Sequence, residues 1–155
     1  MPTKRNFEFK RRFKVAAYTE KWAVTMTKVR IRQAVAESPW PRWHLLTFSG
    51  PNGGESTGVV DMIAVRKNHG DPLPGTKRGD ELQIILIQVK GGYAVKPTLE
   101  DGKRLRIVAR RHRACAVLLA TWKKGTAAKF FSLSQRPRKG SSDWVEVEHL
   151  NAIFG

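Results

Sequence analysis

Apolar residues along this chain fall into short blocks whose period changes from two to about 3.6 and back. The clearest lie between Gly58 and Gly92, where Gly-Val-Val-Asp-Met-Ile-Ala-Val and Gln-Ile-Ile-Leu-Ile-Gln-Val-Lys-Gly-Gly are joined by a polar loop. Both runs are rich in β-branched residues, bounded by glycine and too short for a lone buried helix, so they predict two strands. Upstream, Ala17 to Glu37 has a helical period, with Trp22, Met26, Val29 and Ala36 on one face and Ser38-Pro39 as a stop. Val24, Ile31 and Val35 occupy much of the other side, which predicts a helix covered on two sides. From Arg42 to Ser49, Trp43, Leu45 and Thr47 alternate with His44, Leu46 and Phe48, the pattern of a first strand. Gly50-Pro51-Asn52-Gly53-Gly54 then turns the chain back into the strand that holds Asp61.

Beyond Gly92, Pro97 opens a predicted helix to about His112, with Leu105, Val108, Ala109 and His112 inward and the arginines outward. Ala116 to Trp122 is a further apolar strand, parallel to the one before the helix. Lys129 to Ser134 reads as another strand, and Trp144 to Phe154 as a strand, an edge cover or a dimer contact.

Three polar residues interrupt the most apolar runs. Asp61 sits in the first, and Gln88 and Lys90 end the second. Burying such ions among Val, Ile and Leu costs several kcal/mol each unless they find partners, so their presence asks for a use. Side chains alternate along a strand, which puts Gln88 and Lys90 on one face with Ile84 and Leu86. Antiparallel pairing of the two strands lets Asp61 meet them there. A buried Asp61–Lys90 salt bridge capped by Gln88 is the plain structural alternative.

The order of a strand with Asp, a hairpin, a strand ending in Gln-Val-Lys, a helix and another strand resembles the PD-(D/E)XK nuclease superfamily. That superfamily's signature is one Asp, then an acid-x-Lys on the next strand. Asp61 matches the first acid and Lys90 the lysine. Gln88 stands where Asp or Glu is usual, as in the Q-x-K variant associated with Mrr-like restriction nucleases, and Val60 replaces the nominal proline. The resemblance covers about residues 20–122 and rests on three side chains plus element order. It implies an α/β domain of restriction endonuclease-like architecture, a central mixed sheet flanked by helices, acting as a metal-dependent endonuclease on DNA, structured or branched DNA included.

For that chemistry the expected ion is Mg2+ or Mn2+, held by Asp61, the Gln88 amide oxygen and the Val89 main-chain carbonyl, with Lys90 stabilising charge on the phosphate. Gln88 in place of an acid removes one negative charge, so another carboxylate is wanted. Glu37, on the same side of the first helix as Met26 and Gln33, ranks first, since many members of the resembled superfamily carry an acid on this helix. Glu55, with the strand parity of Asp61, ranks second, and Glu20 last.

Composition changes this picture mainly through charge. At 155 residues and 41% hydrophobic, the chain suits one domain, 1–155, with a basic arm over 1–14 that interleaves Phe7, Phe9 and Phe13. Its formal charge of +16 makes a polyanion the leading partner and nucleic acid the first choice, which the resemblance narrows to DNA. From Gly102 to Ser142 there is no acid at all. Within that stretch Arg104, Arg106, Arg110, Arg111 and Arg113 are assigned to backbone phosphates, with Lys77 and Arg78 of the polar loop beside them. A non-catalytic module binding DNA or RNA with this basic surface is the second expectation.

No run approaches the ~20 apolar residues of a membrane span, and no apolar segment follows the charged N-terminus, so an intracellular, cytoplasmic protein without a membrane partner is expected. A homodimer would suit a duplex or junction with two equivalent strands. The lone Cys115 fits a buried small residue at a strand start, the four histidines show no paired metal spacing, and Trp40 and Trp43 are the aromatic residues to test for base stacking. The glycines at 50–54 lack the Gly-Lys-Ser/Thr ending of a phosphate loop.

Overall fold

In the computed structural model, residues 21–48, 58–92, 97–123 and 125–155 are described. The basic arm, the turn at 50–54, Glu20 and Glu55 lie outside them. The protein is α/β, with a six-stranded mixed sheet and, among the described residues, three helices. Helix α1 covers 21–34, followed by β1 (His44–Thr47), β2 (Met62–Lys67) and β3 (Leu82–Gly91). Helix α2 (Leu99–Arg111) leads to β4 (Ala116–Trp122), β5 (Lys129–Leu133), β6 (Trp144–Glu146) and the short α3 (Asn151–Phe154). The strands lie side by side in chain order, and every neighbouring pair is antiparallel except β3 and β4. That one parallel pair follows from the α2 crossover, as expected from the sequence.

Strand alternation divides the core between the two faces of the sheet. One face buries Met62, Ala64, Ile85, Ile87, Val89, Leu118 and Ala120 under Ala23 and Ile31 of α1 and Leu150 and Phe154 of the C-terminal segment. The other buries Leu86, Val117 and Leu133 under Leu105 of α2 and Val59. Trp144 to Phe154 thus serves as a short edge strand followed by a cover for the first face.

α1 differs from its predicted orientation. Ala23, Thr27 and Ile31 are fully buried, whereas Trp22 is 42% exposed and Ala36 is exposed. The inward stripe is therefore i, i+4, i+8 through small and polar side chains, which bring the helix close to the sheet. The Thr27 hydroxyl donates to the Ala23 carbonyl at 2.8 Å and accepts from Trp122 Nε1 at 2.8 Å, so neither polar group is buried unpaired. Trp22 packs edge-on against Trp122, with ring centroids 5.3 Å apart.

α2 begins at Leu99, because Thr98 and Asp101 form a reciprocal capping box with both bonds at 3.1 Å, leaving Pro97 just outside. It ends on a Schellman motif: Ala114 N–H donates to Ala109 O at 2.8 Å and Arg113 N–H to Arg110 O at 3.2 Å. Arg113 occupies the left-handed position at φ 51°, where glycine is usual and a side chain costs about 1–2 kcal/mol. His112, expected inside, is the exposed C-cap residue, and Cys115, expected buried, is exposed, with its thiol donating to Ile84 O at 3.2 Å.

At the corner where β2 ends, the C-terminal segment is clamped onto the first face. Arg66, 8% exposed, donates to Gln83 Oε1 at 2.7 Å, Phe154 O at 3.3 Å and Gly155 O at 3.1 Å. Its guanidinium stacks 4.4 Å from the centroid of Trp43, whose Nε1 also donates to Phe154 O at 2.7 Å. Trp43 is thereby committed to packing rather than to stacking on bases, while Trp40 is 46% exposed. No helix among the described residues is long and apolar enough to cross a membrane.

Candidate active site

Asp61 precedes β2 by one residue, where the chain enters the sheet after Gly58, a residue at φ +122° that a side chain would strain. Main-chain bonds fix its place between two strands. Phe48 N–H donates to Asp61 O at 3.1 Å, and Asp61 N–H to Ile87 O at 3.0 Å. Asp61 Oδ2 accepts from Val89 N–H at 2.7 Å, a short charge-assisted bond that does the work of the next ladder bond beyond the end of β2.

Alternation puts Gln88 and Lys90 on the α2 face with Leu86, whereas Asp61 leaves the regular ladder: its N–H donates to Ile87 O, opposite Met62, and its carboxylate reaches the Val89 N–H. The three residues predicted from the sequence therefore lie at one end of the β2–β3 pair, Gln88 and Lys90 on one face and the Asp61 carboxylate bound to the Val89 N–H between them in sequence. Gln88 is only 4% exposed, and its Oε1 is buried without a hydrogen-bond partner. Leaving such an acceptor unmet costs about 1–3 kcal/mol, so this oxygen is suited to a ligand that supplies positive charge or a proton donor. Asp61 and Lys90 are both half-buried. Backbone alternation also sends the Val89 carbonyl to the same side of β3 as its N–H, toward Asp61.

Other assignments come apart. Glu37 is exposed in the turn after α1, and α1 packs on the Met62 face, opposite to Gln88. It is not brought to the centre, because the helix is rotated so that Ala23, Thr27 and Ile31 face inward. Among the described residues, no group of three or more His, Cys, Asp or Glu gathers to hold a metal.

Arg106, assigned to phosphates, is instead 7% exposed and bound to Asp143 at 2.9 Å and to Ser134 O at 2.9 Å. The Arg138 main-chain N–H, donating to Asp143 Oδ1 at 2.8 Å, and the Arg106 side chain hold the Asp143 carboxyl below the usual carboxylate range. One signal for this pair was in the sequence, since Asp143 is the first acid after the acid-free stretch.

The remaining basic residues separate along the strand direction. α2 runs back along the sheet from the Lys90 end to the Leu82 end, where Cys115 N–H donates to Ile84 O at 2.8 Å as β4 begins. Arg104 lines a shallow groove of about 370 Å³ with Gly58, Val59, Val60, Ile107 and Val108, adjoining Asp61. Arg110, Arg111 and Arg113 are exposed at the opposite end, as are Lys77 and Arg78. No family model matches this chain, and no curated protein or solved structure matches it either.

Proposed function

We propose that the protein is a metal-dependent endonuclease hydrolysing DNA phosphodiester bonds, on a sheet of restriction endonuclease-like type. One observation carries the reading: the buried Gln88 Oε1 has no hydrogen-bond partner at the end of the sheet where the adjacent Val89 N–H holds the Asp61 carboxylate and Lys90 follows on the Gln88 face. The element order, with three meandering strands, a helix and a strand parallel to the third, supports it.

The oxygen donors of Asp61 and Gln88 fit Mg2+ or Mn2+, hard ions that keep several waters and need only one or two carboxylates. Such an ion, when bound, neutralises charge at the scissile phosphate and lowers the pKa of coordinated water. Asp61 is pre-oriented for this by the Val89 N–H, which occupies Oδ2 and fixes the carboxylate plane. The Lys90 ammonium, one alternation beyond Gln88 on the same face, donates to phosphate oxygens as water adds to phosphorus and the ester oxygen departs.

Cleavage of supercoiled and branched DNA with Mg2+ or Mn2+, lost in Lys90→Ala while binding persists, is the expected result. Binding without cleavage in both proteins would sink the enzymatic reading. A non-catalytic DNA- or RNA-binding module is the second reading, favoured because no three His, Cys, Asp or Glu gather among the described residues.

A further inference from the structure

We infer that the outer ridge of α2 and the basic loops at the Leu82 end form one track that binds the phosphates of a DNA duplex on one side of the Asp61 centre. This rests on the proposed reading of a DNA-acting protein, though not on the centre being active. Three connections meet at that end of the sheet, because β2 and β5 finish there and β3 and β4 begin there. The β2–β3 loop presents Lys77 and Arg78, both exposed. The end of α2 adds exposed Arg110, Arg111 and Arg113, and the β5–β6 loop adds exposed Arg136, Arg138 and Lys139.

None of these side chains is in a salt bridge among the described residues. Two of the nearby acids are engaged: Asp80 Oδ2 accepts from Lys77 N–H at 2.7 Å, and Asp143 is held by Arg106 and the Arg138 N–H, which leaves Asp71 and Glu81 of the β2–β3 loop against the basic residues of this end. A field this one-sided repels itself unless a polyanion balances it. Arg113 supplies its charge from a left-handed position that glycine would occupy without strain.

The ridge joins this end to the centre. Lys103, Arg104, Ile107, Arg110 and Arg111 are exposed at positions that form one stripe of α2, and α2 lies on the Gln88 face. Arg104 stands in the groove beside the Asp61 segment. From Lys90 to Gln83, β3 spans about 23 Å at ~3.3 Å per residue. At ~3.4 Å per step along a duplex, that is about seven base pairs.

The test is equilibrium binding of the full chain, in EDTA, to a fluorescent DNA duplex between about 50 and 200 mM salt. The triple variant Arg111→Ala, Arg113→Gly, Arg138→Ala is compared with a charge-matched triple on α1, Lys21→Ala, Lys28→Ala, Arg32→Ala, which lies on the opposite face. The far-end triple should bind tenfold or more weakly, with its log–log salt slope reduced by about 0.9 per lost contact; the α1 triple should stay near wild type.

Equal losses in both triples, or none in either, would overturn the track. So would tighter binding to an RNA duplex or to anionic vesicles. Arg113→Gly alone guards against misfolding, because it should melt higher and still bind more weakly. Far-end variants that bind normally while wild type cleaves would sink the track and spare the centre. Weak far-end binding with no cleavage by any form would do the reverse.

Discussion

The two ends of the sheet are built on opposite terms. At the Lys90 end, the polar groups of the centre are half-buried or buried: Asp61 is held by the Val89 N–H, and Gln88 lies inside with its oxygen unmet. At the Leu82 end, charges are many and exposed, on loops stitched by short local bonds such as Asn68 N–H to Glu81 O at 2.8 Å and Thr76 N–H to Leu73 O at 3.0 Å. The first arrangement suits chemistry, which needs a few groups held rigidly in low dielectric. The second suits capture, where affinity comes from counterion release and tolerates loose geometry.

The largest expected effect separates the ends directly. Lys90→Ala should lower the cleavage rate by about 100-fold or more while leaving DNA affinity in EDTA near wild type, read by a single-turnover assay beside anisotropy. Next, Gln88→Leu should raise unfolding stability by about 1–2 kcal/mol, because the unmet amide leaves the interior. Mg2+ should raise the melting temperature of the wild type and the same change should abolish that rise, measured by thermal scans with and without the ion. A destabilised Gln88→Leu with an intact Mg2+ shift would erase the proposed ligand role.

Arg113→Gly tests the other end at about 1 kcal/mol, raising stability in denaturant titrations. The smallest effect is pH-dependent. Asp143 has a lowered carboxyl pKa in the fold, so its contribution is present above the ordinary range near pH ~4 and is lost as pH falls through the depressed value. Asp143→Asn should therefore melt below wild type at neutral pH, with the gap closing in acid, as followed by circular dichroism.

Much of this contrast was legible in the sequence. β2, β3, α2, β4 and β5 declare themselves by period and boundary residues, and strand parity alone puts Gln88 and Lys90 on the face of Leu86, while the place of Asp61 is set by its bond to the Val89 N–H. What stayed hidden depends on contacts between distant segments. Arg106 looks like any other residue of the basic stretch until Asp143 and Ser134 O come to it from the β5–β6 connection. Helix α1 is apolar on two sides, and its large Trp22 and Met26 suggested an inward face, whereas Ala23 and Thr27 permit the closer approach. Glu37 was misplaced by that same rotation. Thr27 is buried because Trp122 needs an acceptor, a demand that no local pattern reveals.

The clamp of Arg66 and Trp43 on Phe154 bears on how the chain matures. Trp43 waits for a partner 111 positions later in synthesis. At roughly 5–20 residues per second, a ribosome needs some 6–22 s to deliver it. Once β3 has been made, β1, β2 and β3 can pair, yet Met62, Ile85 and Ile87 still lack Leu150 and Phe154 above them. The nascent chain thus carries an unfinished greasy surface until its final helix arrives, and the face is sealed by the segment made last among its contacts.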